Sequence, residues 1–291
     1  MSDAGEEWQV ASRRKGAARK SKSIHVSSAS TCCQEQLDTG KVVKRIRDTV
    51  SELRCEEFWQ EWKEQLLVVA GSASLPEPPE NQVTEEQPER SRLCQQLECV
   101  CFGLGSFSSC VSARYQLAML LLLLEAGQIP LKDCSVYDPA FSSAERDVLR
   151  ELGLTVLTEN EEGKRLATKP TLFYLMHCGK ALYNNLLWKN WSVQSLSRVI
   201  IIGNSFSGMR ERAIEREFKR DYSYISKAVD LCVEKELPCP SRFIDIFGDT
   251  SVITFPFSSL NGLPLSTWGE SPEPQYQHCP DLEIILKEMQ S

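Results

Sequence analysis

Five short apolar runs, each followed by a small or polar turn, constrain this chain more than any other feature. Glu98-Cys-Val-Cys-Phe102, Cys134 to Tyr137, Leu154-Thr-Val-Leu157, Pro170-Thr-Leu-Phe-Tyr-Leu-Met176 and Arg198-Val-Ile-Ile-Ile202 read as strands. Between them lie stretches with helical signals. Ser108 to Ala126 is stopped by Gly127, a capping box Ser142-x-x-Glu145 opens a helix that ends before Gly153, and Lys180 to Asn190 and Met209 to Glu236 read as helical. Two further strands are expected around Phe243 to Phe247 and Val252 to Phe255. Continuous apolar strands alternating with helices bury both faces of a sheet. The expected fold class is therefore α/β: a doubly wound, mostly parallel, Rossmann-like sheet with helices on both faces, spanning residues 93–291.

The residues before it divide into three. Residues 1–38 are a Ser-, Ala- and charge-rich tail with a basic cluster at Arg13, Arg14, Lys15, Arg19, Lys20 and Lys22, read as a solvated disordered arm or a nuclear-import patch. Residues 39–70 carry one amphipathic helix: Val42, Ile46, Val50 and Leu53 recur at helical spacing, then Phe58, Trp62 and Leu66 form a second stripe. Trp59 beside Trp62 needs a cover, expected from the main domain with a partner protein as the alternative. Residues 71–92, rich in Pro and Glu, read as a linker.

Composition closes several routes. A net charge of -7 and a pI near 5.3 argue against direct nucleic-acid binding through phosphates. The longest apolar run, Leu117 to Leu124, is far short of the ~20 residues that span a bilayer, so no membrane association is expected. The polar, basic opening residues lack a secretory signal, which places the twelve cysteines in a reducing compartment. Most of them read as small core residues. There is no Cys-x-x-Cys, and only three histidines (His25, His177, His278), so no metal site is expected.

In open parallel sheets, ligands sit outside the carboxyl ends of the strands. The first strand leads into Gly103-Leu-Gly105-Ser106-Phe-Ser108, a turn that lets backbone approach a ligand and points helix N–H groups at an anion. Ser108 stands where a dinucleotide fingerprint carries its third glycine, so the turn also reads as plain strand-to-helix geometry. Asp138 ends the second strand, as a ribose-binding carboxylate or as a turn residue before Pro139. His177 follows the fourth strand as a general base, polar clamp or structural histidine, next to Cys178, a candidate nucleophile. Gly203-Asn204-Ser205 follows the fifth strand. The candidate ligand site is thus Gly103, Gly105, Ser106, Ser108, Asp138, His177, Asn204 and Ser205, with an adenine-containing nucleotide or S-adenosylmethionine as candidate cofactor. No catalytic residue is assigned.

The glycine turn, Val136-Tyr137-Asp138-Pro139, Pro170-Thr-Leu-Phe-Tyr, His177-Cys178, Leu182-Tyr183-Asn184-Asn185-Leu186 and Ile202-Gly203-Asn204-Ser205-Phe206 occur in this order. Together they resemble the SRR-like family, named from the plant "sensitivity to red light reduced" protein, over about Trp59 to Phe257. The resemblance implies a cytoplasmic regulator with the nucleus as a second compartment, linked to circadian clock gene expression and, in animals, to haem biosynthesis. It supplies no established reaction; unidentified protein partners are expected, with a small-molecule ligand as a further candidate. It also lends interest to two Cys-Pro dipeptides, Cys239-Pro240 and Cys279-Pro280, as candidate thiolate ligands of haem.

Overall fold

A computed structural model describes residues 38–72, 97–269, 271–276, 279 and 282–287. The basic tail, nearly all of the Pro/Glu-rich linker and His278 lie outside the described residues. The described residues from Asp38 onward belong to one compact unit.

The chain begins with α1 (Thr39–Arg54) and α2 (Glu57–Ser72), two helices where one was expected. The break falls at Cys55 and Glu56, whose N–H groups bond back to Glu52 and Leu53. The cause is visible in the spacing: the step from Leu53 to Phe58 skips the three-or-four rhythm, so one straight helix could not bury both stripes. Gly71 lies inside α2 and does not end it.

The sheet contains β1 (Glu98–Phe102), β2 (Cys134–Tyr137), β3 (Thr155–Val156), β4 (Thr171–Leu175), β5 (Val199–Asn204), β6 (Val233–Glu236) and β7 (Thr250–Thr254). Their order is β3-β2-β1-β4-β5-β7-β6. All neighbours from β3 to β5 run parallel, while β7 is antiparallel to both β5 and β6. Helices α3 (Val111–Ala126), α4 (Ser143–Glu151), α5 (Lys180–Lys189) and α6 (Val193–Leu196) connect the parallel strands. Helices α7 (Phe206–Glu211), α8 (Glu215–Asp221), α9 (Ser223–Ala228), α10 (Ile244–Phe247) and α11 (Phe257–Asn261) follow β5 in the chain.

Alternation along the strands sorts the core into two layers. Cys99, Cys101, Cys134, Tyr174, Ile200 and Ile202 pack on one face with α1, α2, α3 and α4. Val100, Phe102, Phe173, Leu175, Val199 and Ile201 pack on the other with α5 and α9. Helix α3 is apolar almost all round because α1 and α2 cover the side that the sheet leaves open. Trp62 is 1% exposed, packs edge-on against Phe58 and Phe247, and donates its indole N–H to the Pro238 carbonyl at 2.9 Å. The Trp59/Trp62 surface is therefore covered by the chain itself.

Three local expectations fail for identifiable reasons. Phe243 to Phe247 is not a strand: a 3-10 turn at Ser241–Phe243 runs into α10. Phe243, Ile246 and Phe247 are buried while Ile244 is exposed, a three-and-four spacing that a strand would not bury on one side. Met209 to Glu236 is not one helix but three short ones followed by β6. The Asn184 side chain accepts from the N–H groups of Tyr224 and Ile225 and so begins α9 afresh, while β7 supplies the pairing that draws Val233–Glu236 into the sheet. The first α/β helix starts at Val111, not Ser108, because Glu145 ties down the turn before it through Ser106 and Ser108.

The cysteine expectation is corrected in degree. All nine described cysteines are free thiols, but only Cys99, Cys101 and Cys134 are buried, and Cys55 and Cys110 are exposed.

Candidate functional site

The strand ends meet a cleft of about 530 Å³, within the usual range for small-molecule sites. Its floor comes from the ends of β1 and β2, with Phe102, Gly103, Tyr137 and Asp138. His177, Cys178 and Gly179 follow β4 and form one side; Asn160, Glu162 and Gly163 follow β3 and form another. Leu282 to Ile285, from the far end of the chain, close it. This is the crevice beside the point where strand order reverses, between β1 and β4.

Asp138 organises the floor. It is 7% exposed, its Oδ2 accepts the Gly105 N–H at 2.7 Å, and its Oδ1 accepts the Ala140 N–H at 2.7 Å. Glu145, 1% exposed, does the same one turn further on. Its Oε1 accepts from the Ser108 N–H (2.9 Å) and the Ser106 hydroxyl (2.8 Å), while its Oε2 accepts from the Ser142 N–H (2.9 Å). The expected capping box is present, and it extends into the glycine turn. Burial opposes the charged form of Glu145, but the N–H groups of Ser108 and Ser142 outweigh it and hold the carboxyl below its usual value.

Backbone geometry around the cleft is special. Gly103 and Gly163 have φ of 70° and 77°, and His177 and Glu162 have φ of 51° and 52° without being glycine. A Cβ on Gly103 would stand 2.5 Å from the Cys178 Sγ, and one on Gly163 would stand 2.6 Å from the Leu182 carbonyl oxygen. Left-handed non-glycine residues cost energy and collect at ligand sites. His177 is held there by its Nε2, which bonds the Ile246 carbonyl at 2.9 Å. That contact puts the ring proton on Nε2 and supplies no orienting carboxylate.

The C-terminal wall is bound to the loop after β3. Asn160 Nδ2 donates to the Ile285 carbonyl at 2.6 Å, and the Lys287 N–H donates to Glu162 Oε1 at 2.5 Å. Glu162 also pairs with Lys164 at 2.5 Å. Burial opposes its charge, and the Lys164 ammonium and Lys287 N–H outweigh it, so its carboxyl too lies below the usual value. Gly179 passes so close to Glu283 that a Cβ there would meet the Glu283 Cβ at 2.5 Å.

Of the eight residues read from sequence as a ligand site, Gly103, Asp138 and His177 line the cleft together. Gly105, Ser106 and Ser108 do not line it: the Gly105 N–H goes to Asp138, and the Ser106 hydroxyl and Ser108 N–H go to Glu145. Asn204 bonds the Tyr183 hydroxyl through both its N–H (2.8 Å) and its side chain (3.0 Å), and Ser205 caps α7 by accepting from the Gly208 N–H. Both serve the β5 turn and neither lines the cleft. Asn184 and Asn185, near His177 in sequence, turn away to α9 and to the Glu162 carbonyl. Cys178 is a thiol whose pKa is pushed far up, first by burial and then by Asp138 and Glu283, and it bonds the Phe102 carbonyl at 3.3 Å. That is the opposite of an activated nucleophile.

Asn160, Glu162 and Gly163, in the polar turn that the sequence places after the third strand, also line the cleft, whereas the Leu282–Ile285 wall was missed in the sequence. Glu162-Gly163 carries a turn signal, but nothing local shows that residues 282–285 return to it across more than a hundred residues.

Cys239 packs beside the first core layer, whereas Cys279 lies next to Tyr222 at the second. The sheet separates them, so one planar group could not take both as ligands. Burial raises the pKa of each thiol, which disfavours thiolate ligation. Among the described residues no group of three or more His, Cys, Asp or Glu could hold a metal ion, and no helix is long and apolar enough to cross a membrane.

Comparison with known proteins agrees with the order of motifs. The SRR1 domain family matches residues 58–261. The chain is 43% identical to a mouse SRR1-like protein over 209 residues, covering 68% of this chain and 84% of that protein. It is 30% identical to a fruit-fly SRR1-like protein over 267 residues, covering 90% and 87%. It is 40% identical over 117 residues to the Arabidopsis protein SENSITIVITY TO RED LIGHT REDUCED 1, covering 40% of this chain and 42% of that protein. No solved structure matches. With the α/β sheet, the strand-end cleft and a family match that runs from α2 to α11, the chain belongs to the SRR1-like family.

Proposed function

We propose that this protein is a regulator whose SRR1 domain senses a small ligand in the strand-end cleft and passes the signal to protein partners. The observation that carries this reading is the cleft itself. It gathers four left-handed residues, a buried carboxylate and a histidine at the crevice where this kind of sheet binds ligands. The family resemblance supports placing this regulation in circadian clock gene expression and haem biosynthesis, in the cytoplasm with the nucleus as a second compartment. Haem enters this reading as a regulated product; the separated, protonated Cys239 and Cys279 give direct ligation little support.

A second reading, methyl transfer from S-adenosylmethionine, is favoured by one observation. The reversed β7 between β5 and β6 departs from the dinucleotide-binding order and gives the strand order of the S-adenosylmethionine-dependent methyltransferase fold. This is an analogy of fold, and no residue of the cleft is assigned to catalysis.

The test is thermal unfolding of the full chain with S-adenosylmethionine, NAD(P)(H), ATP or haemin, repeated on Leu182→Trp, which fills the cleft from a residue of its own wall. A ligand at about 100 times its Kd adds about 2.7 kcal/mol. A shift lost in Leu182→Trp supports the cleft; a shift that persists there, or none from any compound, ends the reading. Incorporation of labelled methyl groups into cell extract by the wild-type chain would favour the second reading.

A further inference from the structure

Whether phosphate belongs in the cleft can be settled from its donors and charges. Three of the donors that a strand-to-helix glycine turn offers to an anion are already used inside the protein. Gly105 N–H goes to Asp138, and Ser108 N–H and the Ser106 hydroxyl go to Glu145. Two built-in carboxylates therefore occupy the place where a pyrophosphate would lie in a dinucleotide site. The cleft offers no substitute cation: no Lys or Arg is among the described residues that line it. Glu162 is neutralised by Lys164, but Asp138 and Glu283 have no cationic partner among the described residues.

The same side chains show what the cleft can accept. Asp138, more than nine-tenths buried, uses one hydrogen bond on each oxygen, whereas a carboxylate offers about four acceptor sites. The remaining capacity lies on a side chain that lines the cleft, at the end of the second strand, where a carboxylate receives ribose hydroxyls in this fold. Phe102, Tyr137, Leu182 and Ile284 supply apolar and aromatic wall for a flat ring.

From this we infer that the cleft takes a neutral or cationic nucleoside, with its sugar hydroxyls donating to Asp138, and excludes phosphate-bearing nucleotides. The inference rests on the reading of the cleft as a ligand site and names the ligand class.

Calorimetric titration of the full chain at fixed ionic strength tests it, with adenosine, S-adenosylmethionine, ATP and NAD as probes. Adenosine and S-adenosylmethionine are expected to bind at least about tenfold more tightly than ATP and NAD, the scale of one unfavourable charge contact. Asp138→Asn should weaken adenosine by about tenfold, the loss of a charge-assisted hydrogen bond. Because that change also touches the Gly105 turn, Glu283→Lys is the second variant. Glu283 is an exposed carboxylate of the cleft wall, and its reversal should raise the ratio of ATP to adenosine affinity by about fivefold or more. Tighter binding of ATP or NAD than of adenosine overturns this inference and leaves the ligand reading standing. An unchanged ratio in Glu283→Lys overturns it too, and heat from none of the four overturns both.

Discussion

Asp138 accepts the Gly105 N–H at 2.7 Å, across the gap between the first two strands, and so takes up one of the donors of a glycine turn that looks like an anion cradle. The same carboxylate holds Ala140 at the start of the next loop. Asp138→Ala should therefore cost about 1–3 kcal/mol, the usual consequence of leaving part-buried donors without an acceptor. Urea unfolding would measure it, and a loss within error of zero would mean that the turn is set by its glycines alone.

The contact between Gly103 and Cys178 offers a cycle of substitutions. Gly103→Ala places a Cβ 2.5 Å from the Cys178 Sγ, but the Cys178 Cβ lies 3.8 Å away. Removing the sulfur in Gly103→Ala/Cys178→Ala should restore the steric part of the loss. The backbone part, about 1–2 kcal/mol for a left-handed residue with a side chain, should remain. Denaturant midpoints of the four proteins give the coupling; strictly additive effects would show that the loop relaxes on its own.

Acid should loosen two places at once. Glu145 and Glu162 both have carboxyls held below the usual value in the fold. Their contribution is present above the unfolded value of about 4.3 and is lost as pH falls through the lower folded values. Stability measured from pH 7 down to pH 3 should fall steeply in the acid limb, and Glu145→Gln/Glu162→Gln should flatten that limb. Hydrogen exchange at residues 282–287 should rise over the same range, because Glu162 is one of their anchors.

Removing the indole of Trp62 should show that α2 belongs to the main core. The ring is 1% exposed, packs on Phe58 and Phe247 and bonds Pro238. Trp62→Ala should cost about 3–5 kcal/mol, as for other buried aromatics. Calorimetry should show a single transition at lower temperature; a separate early transition with the main one unmoved would make α1 and α2 an independent layer.

The division between what was legible in the sequence and what was not follows the range of the interactions. Strands buried on both faces announce themselves by unbroken apolar runs, so β1, β4 and β5 could be placed by residue composition, as could the Ser142–Glu145 capping box and the turns at Gly103, Asp138 and His177. Those features depend on neighbours a few residues away. Strand β6, Val-Glu-Lys-Glu, has no such signature and exists because β7 pairs with it. The fate of the glycine turn also lay out of reach, since three of its donors go to Asp138 and Glu145, more than thirty residues on. So did the far wall of the cleft, where Ile285 and Lys287 return to Asn160 and Glu162. Local pattern determined the sheet and where its strands end; only the folded chain decided which polar groups at those ends are spent on one another and which still face a ligand.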